Sequence, residues 1–182
     1  VSVVTQNSKV IVPLSARTPD QLKQKASDLL DFIHNKEREI DLVQMAYTLQ
    51  VGREAMGERL GFLVSSVEEF VGKLQNFVKG ETDIQDLYHG QVKSNKEGLS
   101  IINRDDDLKK TIIETCIQQR KLSKLIDLWV RGIDLDWNRL FGKVKPQRIN
   151  LPAYPFAKER YWFNEMESVH DGNKDARVSV LH

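Results

Sequence analysis

Between residues 19 and 36, Leu22, Ala26, Leu29, Leu30 and Ile33 recur at three- and four-residue spacing. That rhythm predicts an amphipathic helix. Thr18 as N-cap, Pro19 at the first helical position and Gln21 completing a capping box agree on its start. Upstream, KVIVPLS over 9–15 is a short β-branched run and predicts a strand. Pro13 within it has no amide donor, which predicts an edge position or a bulge. DLVQMAYTLQVG, from Asp41, predicts a second short helix ending before Gly52, and ERLGFLVS over 58–65 predicts a strand. Ser66 with Glu69 opens a further helix that carries Phe70, Leu74 and Phe77 and stops at Gly80. LYHGQV over 87–92 predicts a third strand, with Gly90 marking a bulge or bend. The order β-α-α-β-α-β predicts an α+β class: a small β-sheet packed with helices.

The rhythm then changes. From 107 to 132 the chain is strongly helical and predicts two helices broken near 120–123. Leu108, Ile112, Thr115 and Cys116 share one face of the first, and Ile113 and Ile117 stand on another. In the second, Leu122, Leu125, Ile126 and Trp129 form a stripe that Leu128 and Val130 widen. A helix apolar on more than one side is covered on more than one side. Either the pair sits deep in its own domain, or one face meets a partner. In a chain of this size the second is expected. The contact set is then Leu108, Ile112, Ile113, Ile117, Leu122, Leu125, Ile126, Leu128 and Trp129. Within it, Ile113 and Leu128 are expected to face outward. IDLDWNRLFG, after Gly132, predicts one further helical turn.

Residues 151–163 read LPAYPFAKERYWF, with five aromatic residues and two prolines among thirteen. Pro152 and Pro155 fix their own φ and push Leu151 and Tyr154 toward extended geometry. The stretch predicts an extended ribbon lying on a surface. Each ring brings roughly 150–250 Å² to be covered. Two covers are open: this same domain, or a neighbour. Residues 164–182 are polar and read as a linker or tail.

Composition narrows the function. The 182 residues are 40% apolar and 29% charged, with a net charge of +1. That balance exerts no global pull on nucleic acid. No run of about 18 apolar residues supplies a membrane span. The start has no secretory pattern. A single cysteine, Cys116, forms no disulfide within the chain, and the expected setting is cytoplasmic. Cys116 lies in an apolar helical stripe, where a thiol is usually an inert small hydrophobe. A small hydrolase built on it is a remote alternative. There is no G-x-S-x-G elbow and no G-K-[ST] after Gly52, Gly57 and Gly61. His34 and Glu37 lack further ligands for a metal. Asp105, Asp106 and Asp107 read as charge compensation at a helix start. The expectation is no catalytic residue, no cofactor and no metal.

The motifs then point in one direction. RINLPAYPFAKERYW resembles the R-I-x-L-P-x-Y-P-F-x-x-x-R-Y-W signature that follows ketosynthase domains in modular polyketide synthases. AYTLQVGREAMGERLGFLVSS resembles the region between ketosynthase and acyltransferase positions. VIVPLSART resembles its opening strand, and LYHGQVK its Y-x-G-x-V element. LWVRGIDLDWNRLFG is similar to the W-x-x-G-x-x-x-D-W-x-x-L-[YF]-G stretch before the ribbon. The likeness covers residues 8–163; Ala153 departs from it, where threonine is common.

No acyltransferase body separates the early motifs from the ribbon, which implies the trans-acyltransferase class. The resemblance implies a flanking subdomain over 8–97, and a helical element with its return segment over 98–142. An extended ribbon follows over 143–163, then the tail. It further implies that Leu151, Pro152, Tyr154, Pro155, Phe156, Arg160, Tyr161 and Trp162 dock on the ketosynthase of the same polypeptide. Residues 98–131 resemble the laterally interacting ketosynthase sequence, implying homotypic contact between neighbouring synthase chains. A docking platform for a free-standing acyltransferase is the alternative.

Overall fold

The computed structural model describes residues 8–94, 99, 102 and 104–152. Strands β1 (Val10–Ala16), β2 (Glu58–Val64) and β3 (Leu87–Gln91) form one antiparallel sheet in the order β1-β2-β3. Helices α1 (Pro19–His34), α2 (Leu42–Val51) and α3 (Val67–Lys79) occupy the predicted places. They are followed by α4 (Asp106–Gln118), α5 (Leu122–Val130) and a 3-10 turn at Trp137–Leu140. The fold is α+β. Thr18 and Ser66 cap as expected: Gln21 N donates to Thr18 Oγ1 (3.2 Å) and Glu69 N to Ser66 Oγ (3.1 Å). None of the described helices is long and apolar enough to cross a membrane.

Strand residues alternate between two faces, and here both faces are buried. Leu60, Phe62 and Val64 of β2 join Val12, Leu14 and Ala16 of β1 in a first core. Leu22, Ala26 and Leu29 of α1, Met45 and Leu49 of α2, and Phe70 and Leu74 of α3 complete it. Phe62 and Phe70 meet edge to face, with ring centres 5.0 Å apart. The opposite parity, Ile11 and Leu63, belongs to a second core. Ile113 and Cys116 of α4, Leu125, Ile126, Trp129 and Val130 of α5, and Trp137 fill that one. The sheet is therefore the middle of three layers.

Two glycines set the spacing between sheet and α5. A Cβ at Gly61 would run into the Ile126 side chain, and one at Gly90 into the Val130 carbonyl. Gly90 forms no bulge, contrary to one of the two expectations for it. The β2–β3 register runs unbroken from Glu58↔Gln91 to Phe62↔Leu87. A strand glycine serves close backbone approach as readily as a bulge, and here it serves the approach of α5.

Pro13 does sit on an edge strand, as its missing donor predicts. The outer side of β1 is covered by side chains. Gln50 Nε2 donates to Ile11 O (2.8 Å) and Lys25 Nζ to Ser15 O (3.2 Å), with Pro13 between them presenting no N–H. Burial pushes the Lys25 ammonium down to about 8, and the nearby Arg53 charge adds to the shift. The helical break falls at 119–121: Arg120 has φ 49, Arg120 N donates to Ile117 O and Lys121 N to Cys116 O (2.8 Å). This closes α4 with a left-handed residue, a common way to end a helix.

Candidate interaction site

The second helical layer is bolted to the sheet by one buried cation. Arg59, 4% exposed, points from β2 into the second core. Its Nε donates to Met56 O (2.9 Å), and its Nη1 to Trp129 O (2.9 Å) and Ile133 O (3.3 Å). Its Nη2 donates to Asp134 Oδ1 (3.0 Å), and the guanidinium lies 5.2 Å from the centre of the Trp129 ring. A positive group is thus set against carbonyls at the C-terminal end of α5, where the helix dipole favours it. Sequence reasoning passed over Arg59. The available signal was a charge inside an otherwise apolar strand run, on the parity that faces α5.

The residues predicted for the lateral contact divide into two groups. Leu125, Ile126 and Trp129 lie inside the second core. So does Ile113, 8% exposed, which corrects its expected outward placement. The physical reason is the sheet's second face, which supplies a cover within the chain for one side of each helix. Leu108 is 39% exposed, and Ile112, Ile117, Leu122 and Leu128 are half-buried. Ile112 and Leu128 line a shallow groove of about 400 Å³ with Tyr88, Ser123 and Lys124.

The ribbon begins on the first core. Ile149 and Leu151 pack against it. Ile149 N donates to Thr48 Oγ1 (2.9 Å). Arg53 Nη2 donates to Pro152 O (2.9 Å) and, at 3.5 Å, to Leu151 O. The segment leading there is held by Tyr47, whose hydroxyl donates to Asn138 Oδ1 (2.9 Å) and whose ring meets Phe141 edge to face. Lys145 Nζ donates to the carbonyls of Asn138 (2.7 Å) and Phe141 (3.2 Å). Leu151 and Pro152 are half-buried; Tyr154, Pro155, Phe156, Arg160, Tyr161 and Trp162 lie outside the described residues. Among the described residues no three His, Cys, Asp or Glu gather as a metal site, and Cys116 is buried in the second core.

Residues 13–81 match the family described as "RhiE-like, KS-MAT linker domain". The chain is 46% identical over 155 residues to the polyketide synthase PksL of Bacillus subtilis, and 46% identical over 153 residues to PksM of the same organism. Those matches cover 85% and 84% of this chain, but only 3% and 4% of the two synthases. Among solved structures, the ketosynthase from module 6 of the B. subtilis bacillaene synthase is 41% identical, with a TM-score of 0.76. The match covers 84% of this chain and 27% of that one. The module 1 ketosynthase of the bacillaene synthase from Bacillus amyloliquefaciens is 38% identical, with a TM-score of 0.75 over 85% of this chain and 27% of its own. Residues 13–81 therefore form a ketosynthase-associated linker domain of the RhiE-like, KS-MAT type, within a chain that is similar over most of its length to polyketide synthases.

Proposed function

We propose that the chain is a non-catalytic brace following a ketosynthase in a cytoplasmic trans-acyltransferase polyketide synthase. The observation that carries this reading is the anchoring of residues 149–152 on α2 and the turn after it, through Thr48 and Arg53. The ribbon's start is gripped by its backbone, and five aromatic residues follow it in the sequence. A brace of this kind gives those rings a fixed point of departure toward the ketosynthase. The expected result is fast amide exchange beyond Pro152 in the chain alone, slowed when the ketosynthase is fused upstream. Equal and strong protection in both forms would show instead that the chain covers its own ribbon.

The same brace presents α4 and α5 to neighbouring synthase chains. Leu108, Ile112, Ile117, Leu122 and Leu128 are the apolar residues of that layer still reachable by a partner. A twofold contact lets one patch cover its own copy. It is weak alone and gains strength when ketosynthase dimers present two copies at once. Leu128→Asp is expected to abolish higher assemblies of the fused protein in sedimentation, with circular dichroism unchanged. A fused wild type that never passes the dimer at any concentration would refute the contact.

A further inference from the structure

A small cavity lies where the end of α2, the outer edge of β1 and the second core meet. Ser15, Lys25, Gln50, Arg53, Trp129 and Trp137 contribute to its walls, and about 10 Å³ of it is open to a water-sized sphere. That is room for the centre of one water molecule. Two polar atoms of the lining residues, Gln50 Oε1 and Arg53 Nε, are buried with no hydrogen-bond partner among the described residues. Both side chains are otherwise engaged. Gln50, 4% exposed, spends Nε2 on Ile11 O, and Arg53 spends Nη2 on the ribbon's carbonyls. Folded proteins rarely leave such groups unpaired. One orphan is an acceptor and the other a donor, three residues apart where α2 ends. A molecule that both accepts and donates answers both. A halide answers only Arg53 Nε and meets the Gln50 oxygen with repulsion.

We propose that this cavity binds one buried water molecule, which accepts from Arg53 Nε and donates to Gln50 Oε1 and so fixes the guanidinium that grips Leu151 and Pro152. The water is then part of the ribbon's anchor. It holds the Arg53 fork in the plane from which Nη2 reaches Pro152 O.

The test is water-to-protein cross-relaxation by NMR on the whole chain, read at Arg53 Hε and the Gln50 side chain, in wild type and Arg53→Lys. Lysine keeps the charge but removes the Nε and Nη2 donors together. Gln50→Met, which keeps Arg53 whole and removes the oxygen the water donates to, is therefore read beside it with the same expected rise in exchange. A long-lived water signal at Arg53 Hε is expected in the wild type. In Arg53→Lys the signal at Gln50 is lost, and amide exchange at Ile149 and Leu151 rises about tenfold while α1 and α3 are unchanged. No water signal in the folded wild type would overturn the proposal. So would a proton from residues 153–182 in that place, or stability that tracks halide concentration. Unchanged exchange at Ile149 and Leu151 in a folded Arg53→Lys would overturn the anchoring role. If Arg53→Lys fails to fold, the wild-type signal decides the water site, and exchange in Gln50→Met, which removes the accepting oxygen, decides the anchor by the same criteria.

Discussion

Arg59→Ala is expected to cost about 3–5 kcal/mol of stability, whereas Asp134→Asn is expected to stay within about 0.5 kcal/mol of wild type. The two substitutions break the same ion pair, so the contrast isolates what Arg59 does. The Asp134 side chain is 78% exposed, and a pair that wet contributes little. Removing Arg59 instead strips the carbonyls of Met56 and Ile133 of their buried donor and leaves Trp129 O with the Gly132 N–H (3.0 Å) alone. Buried acceptors left without partners cost about 1–3 kcal/mol each, less than additively when they share one site. It also removes the cation from the Trp129 face. Arg59→Lys is expected between the two, since a point-charge ammonium cannot reproduce a planar fork on four oxygens. Urea unfolding followed by circular dichroism measures all three. Equal losses for Arg59→Ala and Asp134→Asn would assign the effect to the ion pair.

Gly90→Ala is the second large effect, an expected loss of about 2–4 kcal/mol from overpacking against a wall that cannot rotate away. The atom in the path of the new Cβ is the Val130 backbone oxygen. Relief requires α5 to shift bodily, and with it the packing of Trp129 and Ile126. Gly61→Ala is expected to cost less, about 1–2 kcal/mol, because it meets the Ile126 side chain, which has rotamers to try. Gly72 in α3 has open space at its Cβ, and alanine there is expected to stabilise by up to about 1 kcal/mol. Thermal or urea midpoints in that order support the close-approach account. A neutral Gly90→Ala would refute it.

Elements with local signals were legible in the chain. Thr18 and Ser66 announce helix starts by capping chemistry, and Pro13 announces an edge by the donor it lacks. The break between α4 and α5 shows in the polar run QQRK. The cover over α5 was not legible, because it is made by residues far away in sequence. The apolar spread of 107–132 shows that two sides must be covered; it does not say that the sheet supplies one of them. That is why Ile113 was expected outward and is found inside. ERLGFLV held a clue, as Leu63 puts an apolar side chain on the parity opposite Leu60, Phe62 and Val64, and a strand with apolar residues on both parities is buried on both faces. Arg53 is the opposite case. Nothing near it signals a carbonyl 99 residues further along, so the ribbon's anchor emerges only in three dimensions.

Arg59 also has a mechanical meaning. It stands on β2, the middle strand, whose seven residues are all buried and which is laddered to β1 on one side and β3 on the other. Part of any tug on α5 enters the protein through that guanidinium and is shared at once between two ladders. Antiparallel strands pulled along their length resist in shear, many bonds loaded together, rather than parting one by one from an end. A helical layer fastened to an edge strand would peel. Fastened to the centre, it hands tension straight to the body of the domain.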